Sequence, residues 1–297
     1  MNLKVTLNLL RFLSRLNIRP FGIVPESRTD GGGAQILAIM SIRAFCLAHG
    51  FDYFHRPINS IEHADEKNKA SDWEKKFNLG YGASTVQNAD RKIVKYKDLI
   101  SNFFSLPNVL IEIPHAHFFC DHNIRVYEDI IPDFKRAYCG NLKIDHKHSH
   151  KINIAAHVRR GDVSESQNSM RYTDDHAIIS RLVRIQKICR ANDLQTDIKI
   201  YSEGQISDFQ KFLSHDFELV LNDTPLDTLH ELMTSDILLL AKSSFSYIAG
   251  LLSDGIVLYD DYWRQKKKSW ISLRDGENFD DQLSQKIQEL ASSRKSR

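Results

Sequence analysis

The sequence predicts an α/β protein whose second half holds a parallel sheet. Three observations carry this. Short apolar, β-rich runs recur at residues 152–157, 197–201, 217–221, 237–241 and 256–259. Segments of helical spacing separate most of them. Those helices run to about ten residues or more, the length of a crossover. Strands alternating with such helices make right-handed βαβ units, which set successive strands parallel.

In order, 152–157 is a short strand ending in polar residues. Helix 175–191 follows, with Ile178, Ile179, Leu182, Val183, Ile185 and Ile188 at helical spacing. Strand 197–201 leads to a helix at 207–213, for which Ser207 is the expected N-cap. Strand 217–221, helix 226–234, strand 237–241, helix 244–252 and strand 256–259 complete the half. Ligands on such sheets bind at the C-terminal strand ends. His157 to Asp162 sits at one such end, and Ser243 to Ser246 at another.

The first half is less regular. Residues 29–33 read as a glycine loop with no clear strand before it, and 34–49 as a helix. A strand is expected at 51–54 and another at 109–113. Residues 62–92 are polar and read as helix and loop. The Lys- and His-rich stretch 140–151 is the linker candidate, which gives domains 1–145 and 146–297. No internal repeat is apparent.

Composition narrows the class. The 297 residues suffice for one large domain or two ordinary ones. Hydrophobic residues make up 42% and charged residues 26%, the balance of a globular protein. A net charge of +2 argues against a nucleic-acid partner, which needs concentrated Lys and Arg. Cys46, Cys120, Cys139 and Cys189 form no C-x-x-C pair and read as reduced thiols in a cytoplasmic setting. No membrane-spanning run of about 18 apolar residues is evident. In residues 1–20, Leu9, Phe12, Leu13 and Leu16 fall at helical spacing among Lys4, Arg11, Arg15 and Arg19. That segment is either a surface helix packed on the body or a basic amphipathic helix in peripheral contact with an anionic membrane.

Three motifs carry chemistry. In His157-Val-Arg159-Arg160-Gly-Asp162, adjacent arginines point in different directions on an extended chain. One meets phosphate with its planar fork while the other pairs with an acid such as Asp162. His157 adds a hydrogen bond. The alternative is a strand end with an Arg–Asp surface pair. In Lys242-Ser243-Ser244-Phe245-Ser246-Tyr247, hydroxyls and free N–H groups at a helix start make an anion site, or simply an N-cap. Together the two motifs lie at strand ends of one sheet, where they can converge on a diphosphate. In Asp30-Gly31-Gly32-Gly33-Ala34-Gln35, glycines allow close backbone approach to a ligand, or form a flexible helix start. This loop is neither a P-loop nor a dinucleotide fingerprint. His115 with His117, and His146 with His148 and His150, alternate but lack a carboxylate set. They read as solvated loop histidines, so no metal is expected. Lys266 to Lys268 read as a solvated turn.

At these motifs the sequence resembles the GDP-fucose-dependent fucosyltransferases, and within that superfamily the bacterial α1,2-fucosyltransferases. His157, Arg159, Arg160 and Asp162 match an H-x-R-R-x-D motif, Gly32-Gly33-Ala34-Gln35 resembles the glycine loop, and Ser244-Phe245-Ser246 the late [ST]-F-S segment. Asp227 and Asp236 resemble two upstream acids of the family. The resemblance implies a GT-B fold, two Rossmann-like domains facing across a cleft, with no cofactor beyond the donor, GDP-fucose. It implies that the second domain binds donor and the first a glycan acceptor. Arg159 would hold the β-phosphate, His157 the diphosphate or ribose, Ser243 to Ser246 the phosphate oxygens, and Asp227 or Asp236 the guanine edge. The base is expected among Asp30, Glu26, Glu112 and Asp121, with Asp30 first.

Overall fold

A computed structural model of the chain describes residues 2–18, 21–66, 68–102, 109–139, 151–274, 276 and 278–295. The chain divides into two compact units, Met1–Gly140 and Asn141–Arg297. Residue 145, where the domain boundary was expected, and His146, His148 and His150 lie outside the described residues.

The first unit contains α1 (Leu3–Arg15), β1 (Gly22–Pro25), α2 (Gly32–His49), β2 (Asp52–His55), α3 (Ala70–Phe77), β3 (Ser84–Thr85), β4 (Lys92–Lys95), β5 (Val109–Ile113), α4 (His117–His122) and α5 (Arg125–Ala137). Its strands run parallel in the order β3-β2-β1-β5-β4. Sequence reading misses β1 because four buried residues ending in proline are too short to show a period. It misses β4 because Lys92 and Lys95 bracket a two-residue apolar core. Against expectation, α2 is long and apolar enough to cross a membrane by length and composition, but it is 72% buried within this unit. Ile36, Leu37, Met40, Ile42 and Phe45 are all buried, so α2 is the core helix. Packing of α1 uses Leu7, Leu10 and Leu13, which join Phe21, Ile23 and Phe45 in one cluster. Phe12 and Leu16 face outward.

The second unit contains β6 (Lys151–His157), α6 (Asp175–Ala191), β7 (Gln195–Ser202), β8 (Glu218–Leu221), α7 (Pro225–Thr234), β9 (Ile237–Leu239), α8 (Ser244–Leu252), β10 (Ile256–Tyr259), β11 (Ile271–Ser272) and α9 (Asn278–Lys295). Its strands are parallel in the order β11-β10-β9-β6-β7-β8. Counted from β6, that is the 3-2-1-4-5-6 order of the doubly wound dinucleotide fold. Both units are thus Rossmann-like. Ile152, Ile154, Leu182, Ile185, Ile198, Ile200, Leu258 and Leu283 share one core between the sheet and helices α6 and α9. Where a helix was expected at 207–213, there is one 3-10 turn, Ile206–Phe209. Gln205 and Asp208, not Ser207, cap it. Asp174 caps α6 by accepting from the N–H groups of His176 and Ala177.

Candidate functional site

The strand order of the second unit reverses between β6 and β9, which are hydrogen-bonded neighbours. Crossovers leave on opposite sides at such a switch point and open a crevice beyond the C-terminal strand ends. The His157–Asp162 motif follows β6, and the Lys242–Ser246 motif follows β9. Topology therefore places both predicted motifs at the one location where this fold binds ligands.

The two motifs touch. The His157 and Phe245 rings lie 5.3 Å apart at 51°. Arg159 Nη1 donates to Ser243 Oγ at 3.4 Å, and its Nη2 donates to Asp162 Oδ2 at 2.8 Å. Ser243 caps α8: its Oγ also accepts from the Phe245 N–H at 3.2 Å. With both lone pairs engaged, that hydroxyl retains its hydrogen as a donor. Arg159 Nε and His157 Nδ1 are buried and have no partner among the described residues. A buried polar atom left unpaired costs about 1–3 kcal/mol, so two side by side mark a place that a water, an ion or a ligand group can fill.

Electrostatically the crevice is positive. No acidic residue occurs in the first turn of α8, whose dipole favours an anion there. Lys242, directly before Ser243, is held 3.6 Å from the buried Asp260, which also pairs with Arg181 at 3.1 Å. Burial, reinforced by the Arg159 charge, lowers the His157 pKa to about 3. His157 is therefore neutral at pH 7, with one N–H donor and one acceptor nitrogen. Tyr262 donates from its hydroxyl to Ser243 O at 3.4 Å.

Several expectations change. Asp162 pairs with Arg159 rather than Arg160. Arg160 bonds Asp175, donates to Thr173 O at 3.1 Å and stacks 4.6 Å over Tyr172. It anchors the loop and has no fork left for phosphate. Ser246 is fully buried and donates to Ala241 O at 3.0 Å, so it braces the turn and does not meet phosphate. Ser244 stays half-buried with no hydroxyl bond among the described residues. Asp236 lies at the wrong end of the sheet to read a base: it precedes β9, is fully buried, and its Oδ2 accepts from Asn153 N at 2.7 Å. Asp227 does lie on the ligand side, at the start of α7. There it bonds the N-cap Thr224 at 2.6 Å. Asp260, Arg181 and Tyr262 escaped sequence reading. The signal for Asp260 was its place directly after the apolar run 256–259.

In the first unit the glycine segment is built for packing. Gly32 opens α2, and a Cβ there would lie 2.5 Å from the Trp73 ring. Gly33 is buried in the next position of the same turn. Gln35 Nε2 donates to Asp30 O and Ser60 O, both at 2.7 Å, and so ties two loops together. These three residues hold the fold rather than a donor. The sheet here reverses between β1 and β5. A cleft of about 310 Å3, including its open part, lies beyond β1 and β2. Glu26, Arg28, Arg56 and Asn59 line it. Asp30 is engaged by Arg28, with Nε to Oδ1 at 2.9 Å, and Glu112 by Arg56. Glu26 is half-buried and makes no ion pair among the described residues. His115 and His117 stack with ring centres 4.4 Å apart, and among the described residues no three His, Cys, Asp or Glu side chains cluster as metal ligands.

No family model and no curated protein matches the chain. Among solved structures it is similar to the E. coli heptosyltransferase WaaC with ADP-2-deoxy-2-fluoro heptose, at 9% identity over 92% of this chain and 99% of that one, with TM-score 0.38. It is similar to the NodZ α-1,6-fucosyltransferase soaked with GDP-fucose, at 14% identity over 79% and 93%, with TM-score 0.39. It is also similar to an Arabidopsis thaliana FUT1 mutant in complex with GDP, at 10% identity over 84% and 71%, with TM-score 0.37. At this depth, likeness assigns neither a reaction nor a substrate to the present chain.

Proposed function

We propose that the chain is a glycosyltransferase of GT-B type that moves L-fucose from GDP-β-L-fucose to a glycan hydroxyl. We take the acceptor to be a galactoside, the linkage α1,2, and the anomeric centre inverted. The observation that carries this is the junction of Arg159 and Ser243 at the β6–β9 switch point, with the orphaned Arg159 Nε and His157 Nδ1 beside it. The fucosyl choice rests on the resemblance of these same residues to the fucosyltransferase motifs.

In the proposed step the bond between the sugar and the β-phosphate oxygen breaks, and its electron pair stays on GDP. Negative charge grows on the diphosphate. Arg159 and the first-turn N–H groups of α8 meet that charge without reorganising, the role a metal ion fills elsewhere. Neutral His157 contributes a hydrogen bond without adding charge. The acceptor oxygen bonds to the anomeric carbon from the opposite face and loses its proton to a base. Asp30 and Glu112 are occupied by Arg28 and Arg56, and Asp121 does not line the cleft, which leaves Glu26 as the lining carboxylate with no ion pair among the described residues to take that proton. We assign it this role in place of Asp30.

The same reading puts the reaction in the cytoplasm. Cys46, Cys120 and Cys189 are buried thiols, and Cys139 is an exposed one, the pattern of a reducing compartment.

Thermal-shift measurements with GDP, UDP and CMP test the donor. Stabilisation by GDP, reduced in Arg159→Ala, is expected. Stabilisation by UDP and not GDP overturns the fucosyl assignment.

A further inference from the structure

We propose that the outer face of α1 docks on an anionic lipid surface. Val5, Leu9, Phe12 and Leu16 recur at i, i+4, i+7 and i+11, so they form one stripe along the helix. Val5, Phe12 and Leu16 are 54%, 55% and 54% exposed. The inner face is a separate stripe, Leu7, Leu10 and Leu13, already buried in the core of the first unit. α1 is therefore apolar on two sides: of the outer stripe Leu9 packs partly against the core, while Val5, Phe12 and Leu16 stay exposed. A continuous exposed apolar stripe marks a contact surface.

Charge selects the partner. Lys4, Asn8, Arg11 and Arg15 form a second row with the same spacing, immediately beside the exposed stripe. No acidic residue occurs among residues 1–25. Lys4 lies 4.2 Å over the Phe118 ring and Arg11 lies 5.6 Å from the centre of Phe119, so the row is braced against α4. The adjacent 3-10 turn, Tyr96–Asp98, adds Lys97 and Asp98, which cancel. A second copy of this chain would bring like-charged rows together. An acidic protein or a nucleic acid would satisfy the cations but leave Val5, Phe12 and Leu16 in water. A bilayer with anionic headgroups satisfies both rows at once: the apolar stripe enters the headgroup–acyl boundary while the basic row stays at phosphate level. This surface belongs to the first unit and the diphosphate crevice to the second, and its docking does not depend on the reaction proposed above.

Sedimentation of the full chain with vesicles tests it. Binding is expected to vesicles of phosphatidylcholine mixed with phosphatidylglycerol, weakening as salt rises, and to be far weaker for phosphatidylcholine alone. Phe12→Ser combined with Leu16→Ser should lower the affinity roughly tenfold or more. Arg15→Gln, at an exposed position that cannot unfold the core, should lower it about fivefold. Circular dichroism of each variant should match the parent chain. No binding to the mixed vesicles, equal binding to both vesicle types, or a dimer that Phe12→Ser with Leu16→Ser dissolves in ultracentrifugation would overturn the proposal.

Discussion

Arg159 at the end of β6 reaches Ser243 at the cap of α8, Nη1 to Oγ 3.4 Å, across the point where the strand order reverses. One guanidinium thereby joins a strand end to a helix N-terminus, and both present donors to the same crevice. Removing one such preorganised donor costs about two to three orders of magnitude in rate. Arg159→Ala should lose that much in kcat with an unchanged unfolding curve, since among the described residues the side chain is braced only by Ser243 and the half-exposed Asp162. Arg159→Lys should also fail, because an ammonium cannot span Ser243, Asp162 and a phosphate together. Steady-state kinetics beside thermal denaturation check both.

Ser243 serves two ends at once, so Ser243→Ala should show two effects. Losing the cap to Phe245 N–H costs about 1 kcal/mol of stability. Losing the bond to Arg159 should raise KM for the donor. Ser246→Ala supplies the contrast: among the described residues its hydroxyl serves only the Ala241 and Ser243 carbonyls, so stability should fall while donor KM holds. Calorimetry and donor titration separate the two.

His157 gives a pH signature. Its folded pKa is lowered to about 3 from an ordinary 6.5. The unfolded chain thus binds a proton at a higher pH than the folded one. The His157 contribution to stability is complete above pH 6.5 and declines as pH falls from 6.5 toward 3. Chemical denaturation at stepped pH should show that decline, and it should be shallower in His157→Gln. Imidazole resonances of His157 should not titrate between pH 5 and 8. A midpoint near 6.5 would contradict the burial argument.

Glu26 and Asp30 should part company. Glu26→Gln is expected to lower kcat by about two to four orders of magnitude while leaving GDP affinity unchanged. Asp30→Asn breaks the pair with Arg28 and should show chiefly as reduced stability, with far more activity retained. Rate measurements at saturating donor distinguish them.

The Gly161 backbone has φ +74°, and a Cβ there would lie 2.8 Å from Glu203 Oε2. Gly161→Ala should destabilise by about 1–2 kcal/mol and displace Arg159, seen as a lower denaturation midpoint with a higher donor KM.

The second unit was legible because parallel strands buried on both faces leave continuous apolar runs, and helix spacing separates them. The pairing of both anion motifs followed, since each lies directly after such a run. What escaped has physical causes. β1 and β4 each carry too few apolar residues to show a period. The glycines at 32 and 33 looked like a ligand loop, yet Trp73, far along the chain, is what Gly32 accommodates. Family resemblance alone points to Asp236 as a base-reading acid, although its place directly before the run 237–241 already puts it at the N-terminal end of that strand, away from the ligand side. Partner choice among close charges was likewise hidden: Arg160 turned to Asp175 and left Asp162 to Arg159. Asp260 joins the site through Lys242 and Arg181, which are distant from it in sequence and brought together by the fold.

The most direct measurement is incubation of the chain and of Arg159→Ala with GDP-fucose and a panel of galactosides, followed by mass spectrometry of the products. Addition of one deoxyhexose to a galactoside by the parent chain, nearly lost in Arg159→Ala, is the expected result. No transfer by the parent chain, or equal transfer by Arg159→Ala, would contradict the assignment of the β6–β9 crevice as the donor site.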